Sequence, residues 1–307
     1  SVEAPLFPYA DIRILRLVGE GTFSKVYFGI WKGTSVAVKV LSKKPPAQQK
    51  PTLSPDIEAE LSSLVSHPNL VKTYQYGPQH ASSNQMETGP GVSLVVDRGG
   101  VGVWILQEWC DRGTLQDYCT VPKVDVAGIL ETCDIMLDIG MGIAYLHDWN
   151  IIHGDLTPRN VLLTSQPSKR GYTCKVSDFG RARICDEETQ EIKTQALGTV
   201  THMPPELFVS NLKLASLSPK ADVYALGVIM YQVVTAKLPF AGLSPPQVIV
   251  RVAGGTSLTL PDEVPQSLKR VYIRCVSREP KDRPDAKHLI KEIEKVKQEL
   301  CGRFFNC

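Results

Sequence analysis

The sequence has no long apolar run and no excess of charge of one sign. None of its segments reaches the roughly 18 consecutive apolar residues of a membrane-spanning helix, and its start lacks the basic and then apolar pattern of a secretory signal. Its 34 basic residues nearly balance its 32 acidic residues, for a net charge of +2. These absences argue against a membrane segment in this chain and against nucleic acid as a partner, because nucleic-acid binding needs a basic surface.

Paired cysteines are missing as well. The eight cysteines are scattered, without a C-x-x-C pair or a histidine at zinc-binding spacing, and 307 residues far exceed the usual disulfide scaffold. We therefore expect free thiols in a reducing compartment and a cytoplasmic protein. A hydrophobic fraction of 43% with 21% charged residues is typical of a globular chain with a substantial core. Because the chain begins at Ser1 rather than at Met, we expect it to be one domain of a longer protein.

Two short apolar segments in the middle of the chain carry oxygen-bearing side chains. Residues 151–163 read IIHGDLTPRNVLL, and residues 175–180 read KVSDFG. They place Asp155, Asn160 and Asp178 at the ends of predicted strands, where a rigid sheet edge can present oxygen ligands to a divalent cation. Such a set suits phosphoryl transfer, which depends on charge neutralisation and alignment more than on covalent help.

The N-terminal part predicts two strands around a glycine turn. Apolar positions from Ile12 to Val18 and from Val26 to Phe28 flank the turn GEGTFS at residues 19–24. Glycine in such a turn lets backbone amides approach phosphate oxygens, because no side chain is in the way. An ordinary hairpin turn is the alternative interpretation.

The next predicted strand carries a lysine, Lys39, within SVAVKV at residues 35–40. A solvated lysine on an edge strand is one interpretation, and a phosphate-binding lysine is the other. Residues 56–65 predict a short amphipathic helix. Its Glu58, or alternatively Glu60, is placed to pair with the lysine.

The following segments predict scaffold. Residues 77–102 are rich in Gly, Ser, Asn and Gln, which indicates a long exposed insertion between two strands. Residues 103–109 return to a strand pattern. Residues 124–149 keep helical spacing of apolar positions for more than six turns, as a core helix does.

Taken in this order, the segments resemble the eukaryotic protein kinases over about residues 12–295. Residues 151–180 are similar to that family's catalytic loop and D-F-G triplet, and residues 35–40 to its V-A-I-K strand. The glycine turn resembles G-x-G-x-x-G-x-V, with Ser24 in place of the third glycine. Three later segments also match the family: GTVTHMPPE at 198–206, DVYALGV at 222–228, and Arg283-Pro284, whose arginine should pair with Glu206.

The resemblance implies the fold. It implies an α+β bilobal protein-kinase fold with a small antiparallel β lobe carrying one main helix and a larger, mainly helical lobe. A single kinase domain would cover residues 1–307, with the N-terminal lobe at about 12–108 and the C-terminal lobe at about 109–300. The hinge sequence LQEW and the helix DVYALG favour the tyrosine-kinase-like, Raf-like group.

The resemblance also implies ATP and Mg²⁺ as cofactors and a protein as the substrate. Asn160 and Asp178 would hold Mg²⁺, and Lys39 the α- and β-phosphates. Asp155 would orient and deprotonate the substrate hydroxyl. Arg159 would replace the phosphate-side lysine that many relatives have two residues after the aspartate. The other expected nucleotide contacts are Val18, Gly19, Gly21, Val26, Ala37, Glu58, Gln107, Glu108 and Cys110.

Two sequence features give conflicting indications of whether the substrate residue that accepts the phosphate is Ser/Thr or Tyr. Arg159 stands where many tyrosine kinases of the family carry an arginine. Gly198-Thr199 stands where those enzymes usually have a proline-based segment, and this favours serine/threonine. We weight the substrate-facing segment more and predict a serine/threonine kinase, with a dual-specificity or tyrosine kinase as the alternative.

A pseudokinase scaffold is a different class of hypothesis. Ser24, Gly154 and Thr157 depart from the family pattern, as they would in a domain that binds nucleotide and signals without turnover. Because the phosphate-binding lysine, the catalytic aspartate and both metal ligands are present, we predict an active enzyme.

Overall fold

The computed structural model of the protein describes residues 12–21, 24–42, 54–79, 87–88, 102–186, 188, 191–194, 198–209 and 215–305. They form two compact units. The first unit contains the described residues up to Ser66 together with Val71–Trp109, and the second contains His67–Leu70 and the chain from Cys110 onward.

The first unit is a sheet with one helix. Neighbouring strands pair antiparallel in the order β4-β6-β3-β2-β1. The core of the sheet contains Ile12, Ile14, Tyr27, Val36, Val38, Trp104 and Leu106. In chain order the elements are β1 (Ile12–Glu20), β2 (Ser24–Trp31), β3 (Thr34–Ser42), α1 (Pro55–Leu64), β4 (Thr73–Gln79), β5 (Glu87–Thr88) and β6 (Gly102–Glu108).

Helix α1 confirms the helix predicted over residues 56–65. Its N-cap is Ser54, whose hydroxyl accepts a hydrogen bond from the amide of Ile57 at 3.4 Å, and Pro55 occupies the first turn. Its inner face places Ala59 in a buried cluster with Leu41, Val103 and Ile105. The helix is therefore fixed to β3 and β6 by apolar packing.

The predicted insertion at residues 77–102 is partly sheet. Strand β4 extends through Gln79, and β5 pairs in parallel with Arg13 and Ile14 at the outer edge of β1. Residues 80–86 and 89–101 lie outside the described residues. A piece of the insertion thus covers the edge of the sheet, which its polar composition did not predict.

The second unit is mainly helical in its described part. Helix α3 confirms the predicted core helix, and α5 is buried along almost its whole length. A Cβ at Gly227 of α5 would lie 2.7 Å from Val276 Cγ1, so glycine permits close approach of the chain after α7. The helices are α2 (Leu115–Tyr118), α3 (Val126–Asp148), α4 (Glu206–Val209), α5 (Lys220–Thr235), α6 (Pro245–Ala253), α7 (Gln266–Cys275) and α8 (Ala286–Phe305).

Short strands of the second unit lie before and after the motifs HGDLTPRN at residues 153–160 and SDFG at residues 177–180. Strand β7 pairs with β10, β8 with β9, and β11 with β12, each pair antiparallel. No described helix combines the length and apolarity needed to cross a bilayer. The strands are β7 (Ile151–Ile152), β8 (Val161–Ser165), β9 (Tyr172–Val176), β10 (Arg183–Ile184), β11 (Ile192–Thr194) and β12 (Ala215–Leu217).

The predicted pair of Glu206 and Arg283 is confirmed. The Arg283 side chain has no exposed surface, and its Nη1 and Nη2 atoms each lie 2.7 Å from a carboxylate oxygen of Glu206. Its Nε donates to the carbonyl of Ser277 at 2.8 Å. This bidentate pair ties the start of α4 to the turn that precedes α8.

We expect Glu206→Ala to lower the free energy of unfolding by about 3–5 kcal/mol, because it leaves a buried guanidinium without its counter-charge. Denaturant unfolding followed by circular dichroism measures the change. The matched control is Glu299→Ala, which removes an exposed helical pair with Arg303 and should cost about 0.5 kcal/mol or less. Equal losses in the two variants would contradict this prediction.

Candidate active site

Lys39 and Glu58 form a buried ion pair in the first unit. Lys39 Nζ lies 2.6 Å from Glu58 Oε1, and the two side chains are 9% and 10% exposed. Glu58 lies on the inner face of α1, whereas Glu60 is exposed. The carboxylate that pairs with the lysine is therefore Glu58, and the pair fixes one positive charge on β3.

The glycine turn between β1 and β2 is tight. The Gly21 amide donates to the Ser24 carbonyl at 2.7 Å, and Gly19 is paired with Val26. A Cβ on Gly21 would lie 3.1 Å from Ser24 Oγ. Residues 22–23, at the tip, lie outside the described residues. Ser24, which departs from the family pattern, thus helps to close the turn.

The apolar residues predicted to contact the nucleotide lie on three strands of the same sheet. Val18 is on β1, Val26 on β2 and Ala37 on β3, and all three are at least partly exposed. Apolar surface of this kind is available to a flat aromatic ligand. Cys110 is buried and is the first residue of the second unit after Trp109.

The predicted hinge residues close the end of β6. Gln107 Nε2 donates to Thr73 Oγ1 at 3.2 Å. Glu108 uses its amide to reach the Lys72 carbonyl at 2.9 Å and its Oε1 to accept from the Lys72 amide at 2.7 Å. Both polar side chains thus bond to residues 72 and 73, at the start of β4, and this fixes the backbone at the end of β6.

Asp222 of α5 holds the catalytic loop of the second unit. Its carboxylate accepts hydrogen bonds from the amides of His153 and Gly154, at 2.9 and 3.0 Å, and lies 2.9 Å from His147 Nε2. Burial acts to raise the pKa of Asp222, but the hydrogen bond and charge of His147 outweigh it and hold the pKa below its usual value. The loop is therefore anchored to a buried anion.

Two residues distant in sequence meet the side chain of Asp155. Thr199 donates to Asp155 Oδ1 through its amide at 2.8 Å and its hydroxyl at 2.7 Å. Arg181 Nε lies 3.5 Å from Asp155 Oδ2. Sequence reasoning missed both contacts, because local spacing does not show where a later segment folds back onto the loop.

Gly154 stands where the family often has an arginine, and the structure requires glycine there. Its φ is +72°, and a Cβ would lie 2.8 Å from the Arg181 carbonyl oxygen. A Cβ on Gly198 would lie 2.6 Å from the Gly154 carbonyl oxygen. The segment after the D-F-G triplet and the segment before Thr199 therefore both pack directly on the catalytic loop.

The two predicted metal ligands are linked through Ser177. Asn160 Nδ2 donates to the Asp155 carbonyl at 2.8 Å, so its amide oxygen is the end suited to a cation. The Asn160 carbonyl accepts from the Ser177 amide at 2.8 Å, next to Asp178. Asp178 has φ +68°, a sparsely populated conformation typical of functional sites.

This donor set fits Mg²⁺. One carboxylate and one amide oxygen suit a hard cation that keeps several waters and shares substrate phosphates. The described residues contain no cluster of three His, Cys, Asp or Glu side chains of the kind that holds zinc. His153 is fully buried, with Nε2 3.0 Å from the Ser177 carbonyl and its ring against Phe179. It therefore supports the fold rather than reacting.

Arg159 and Thr157 of the catalytic loop differ in exposure. Arg159, in the short 3-10 helix Pro158–Asn160, is exposed and makes no ion pair with another described residue. Thr157 is buried at 5% exposure. The position that carries a lysine in many relatives is thus filled by a buried neutral side chain.

His202 is a buried neutral histidine behind Asp155. Its Nδ1 lies 3.0 Å from Thr201 Oγ1, and its Nε2 has no partner among the described residues. It lines a small cavity of about 20 Å³ together with residues of the catalytic loop and Thr199. Burial lowers its pKa from 6.5 to about 3.

Comparisons with known proteins agree with this geometry. A family model described as protein tyrosine and serine/threonine kinase matches residues 12–293, and the chain belongs to that family. Its fold is accordingly the α+β bilobal protein-kinase fold, as the sequence predicted, with the sheet unit as N-terminal lobe and the helical unit as C-terminal lobe.

Named relatives include both kinds of protein kinase. The chain is 32% identical to a probable serine/threonine-protein kinase of Dictyostelium discoideum, over 96% of this chain and 20% of that protein. It is 29% identical to tyrosine-protein kinase FRK of Homo sapiens, over 92% and 51%. It is 28% identical to tyrosine-protein kinase SRK3 of Spongilla lacustris, over 92% and 75%. The chain thus spans a fifth of the first relative and about half of the second.

The buried His202 predicts a pH dependence of stability. Since its folded pKa of about 3 lies below the unfolded value of 6.5, the unfolded state binds a proton that the folded state does not. Stability should therefore fall as the pH falls below about 6.5, by about 1.4 kcal/mol per pH unit from this group between roughly pH 5.5 and pH 4.

His202→Phe should remove that contribution. Denaturant unfolding of wild type and variant across this pH range measures the difference in slope. His288→Gln is the matched control, because it removes a histidine whose side chain is 51% exposed. Parallel curves for wild type and His202→Phe would show that His202 does not carry the effect.

Proposed function

We propose that this chain transfers the γ-phosphoryl group of Mg-ATP to serine or threonine hydroxyls of protein substrates. The observation that carries the acceptor class is the contact of Thr199 with Asp155. Two hydrogen bonds hold Thr199 on Asp155 Oδ1, at 2.8 and 2.7 Å. The substrate-facing segment therefore lies against the catalytic carboxylate.

The close packing of this segment supports a short acceptor side chain. Gly198 approaches the loop so closely that a Cβ would lie 2.6 Å from the Gly154 carbonyl oxygen and 3.3 Å from Asp155 Oδ1. A peptide backbone resting on such a segment lies near Asp155. A serine or threonine hydroxyl has the reach that this arrangement needs, whereas tyrosine carries its hydroxyl much farther from the backbone.

Different residues of the second unit carry out different parts of the proposed reaction. Asp155 orients the acceptor hydroxyl and takes its proton, as the hydroxyl oxygen bonds to the γ-phosphorus and the bond from phosphorus to the bridging oxygen breaks. Thr199 and Asn160 fix Asp155 through its side chain and its carbonyl. Asn160 and Asp178 would hold Mg²⁺, which would neutralise phosphate charge.

The first unit provides nucleotide contacts. Lys39, fixed by Glu58, would bind the α- and β-phosphates, and the backbone of the turn at Gly19 and Gly21 would contact phosphate oxygens. Gln107 serves as the gatekeeper. Of the other residues proposed to contact adenine, Val18, Val26, Ala37 and Glu108 belong to the first unit, and Cys110 belongs to the second.

A tyrosine or dual-specificity kinase is the second candidate. Arg159, four residues after Asp155, is exposed and supports it, as do two of the three named relatives. We favour an active enzyme over a nucleotide-binding pseudokinase scaffold, because the chain keeps Asp155, Asn160 and Asp178 in addition to the pair of Lys39 and Glu58.

We also propose membership of the tyrosine-kinase-like, Raf-like group, on the hinge LQEW and the helix DVYALG. A cytoplasmic location is supported by the seven cysteines of the described ranges, all free thiols, of which six are buried.

Lys39→Met and Asp178→Asn should each lower turnover on the order of 10²-fold or more, because each removes charge stabilisation of the phosphates. Initial rates with Mg-ATP and a generic protein substrate measure the loss. A thermal melt shows that the variants are folded. Lys72→Met and Asp262→Asn, at exposed positions, are the matched controls, and near-normal rates in Lys39→Met or Asp178→Asn would refute these roles.

Acceptor preference is tested with three peptides that differ only in a Ser, Thr or Tyr acceptor. We expect kcat/KM for the Ser or Thr peptide to exceed that for the Tyr peptide by about tenfold or more, equivalent to roughly 1.4 kcal/mol. Phosphoamino-acid analysis of a labelled protein substrate checks the result. A preference for the Tyr peptide would establish the second candidate instead.

A further inference from the structure

Among the residues that the structure describes, Arg181 is the positively charged residue that pairs with Asp155. Its Nε lies 3.5 Å from Asp155 Oδ2, and Thr199 occupies the other carboxylate oxygen. The two partners thus hold the carboxylate from both ends. The Arg181 side chain is 42% exposed and the Asp155 side chain 18%, so the pair lies at the surface where a substrate hydroxyl must arrive.

The backbone of Arg181 is fixed on both sides. Arg181 lies inside a turn that the Ala182 amide closes onto the Phe179 carbonyl at 2.9 Å. After it, Arg183 pairs with Ile152 in the β7–β10 ladder. The Arg181 carbonyl lies directly against Gly154, the residue before Asp155. The guanidinium therefore extends from a rigid point beside the catalytic loop.

The neighbouring arginines do not take this place. Arg183 is half-buried and donates to the Ala182 carbonyl at 2.7 Å. Burial, and after it the charge of Arg181, lowers the pKa of Arg183. Arg159 is exposed and makes no ion pair with the described residues, and Thr157 brings no charge.

We propose that Arg181 is a positioning residue for Asp155, and that it contributes more to turnover than Arg159 does. The inference rests on the proposed function. No covalent bond of Arg181 forms or breaks in the transfer. Arg181 holds Asp155 Oδ2 in a fixed position to meet the substrate hydroxyl.

Initial rates of four variants test this inference: Arg181→Met, Arg181→Lys, Arg159→Met and Arg303→Met. Arg181→Met keeps most of the length of the side chain without its charge. We expect it to lower kcat about tenfold or more while KM for ATP stays within about twofold, because Asp155 acts in the transfer and not in nucleotide binding. Arg181→Lys should recover part of kcat, since it restores charge without the planar fork.

The remaining variants set the scale. Arg159→Met should lose less than Arg181→Met, and Arg303→Met, on the exposed end of α8, should match wild type. An unchanged kcat in Arg181→Met would overturn the inference. A faster Arg181→Met would do so too, because Arg181 would then restrain Asp155 rather than position it. A lysine variant as slow as the methionine variant, with an equal fall in Tm, would reduce Arg181 to a structural role.

The wild type separates this inference from the function on which it rests. Wild-type turnover with a normal Arg181→Met overturns only the inference. A wild type that binds nucleotide but transfers no phosphate to Ser, Thr or Tyr substrates overturns the proposed function, and the inference with it.

Discussion

Asp222 is a carboxylate with almost no exposed surface, and it accepts hydrogen bonds from two consecutive amides of the catalytic loop. Taking an anion out of water costs free energy, and the His153 and Gly154 amides together with His147 offset that cost. Because α5 is buried along nearly all its length, the anion has a rigid support. The direction in which the chain enters Asp155 depends on this one interaction.

From that anchor the loop is covered by segments that arrive later in the chain. Gly154 and Gly198 have no side chains, so the Arg181 carbonyl and the Gly198 backbone can touch the loop directly. This is why Thr199 and Arg181 reach opposite oxygens of Asp155. A glycine at position 154 therefore does more than remove the arginine of the family pattern, since it makes room for the contact that brings Arg181 to the site.

Each lobe carries its own assembled part of the site. In the N-terminal lobe, apolar packing of Ala59 sets the rotation of α1 and so turns Glu58, rather than Glu60, onto Lys39. In the C-terminal lobe, Ser177 links the backbone of Asn160 to the position next to Asp178. Both arrangements are held by the interior of their own lobe, and the strained φ of Asp178 persists because its surroundings fix it.

The sequence alone determined the family, the order of the motifs and the main elements. Strand alternation and the spacing of α3 could be predicted because local periodicity carries them. The pair of Glu206 and Arg283, 77 residues apart, could be predicted only through the resemblance to the family. The sequence left Glu58 and Glu60 as alternatives, since the face of a short helix is decided by what packs beneath it. The tertiary structure alone decided the contacts of Asp155 with Arg181 and Thr199, and the edge strand at Glu87–Thr88. These depend on where distant segments fold back, and no local spacing encodes that.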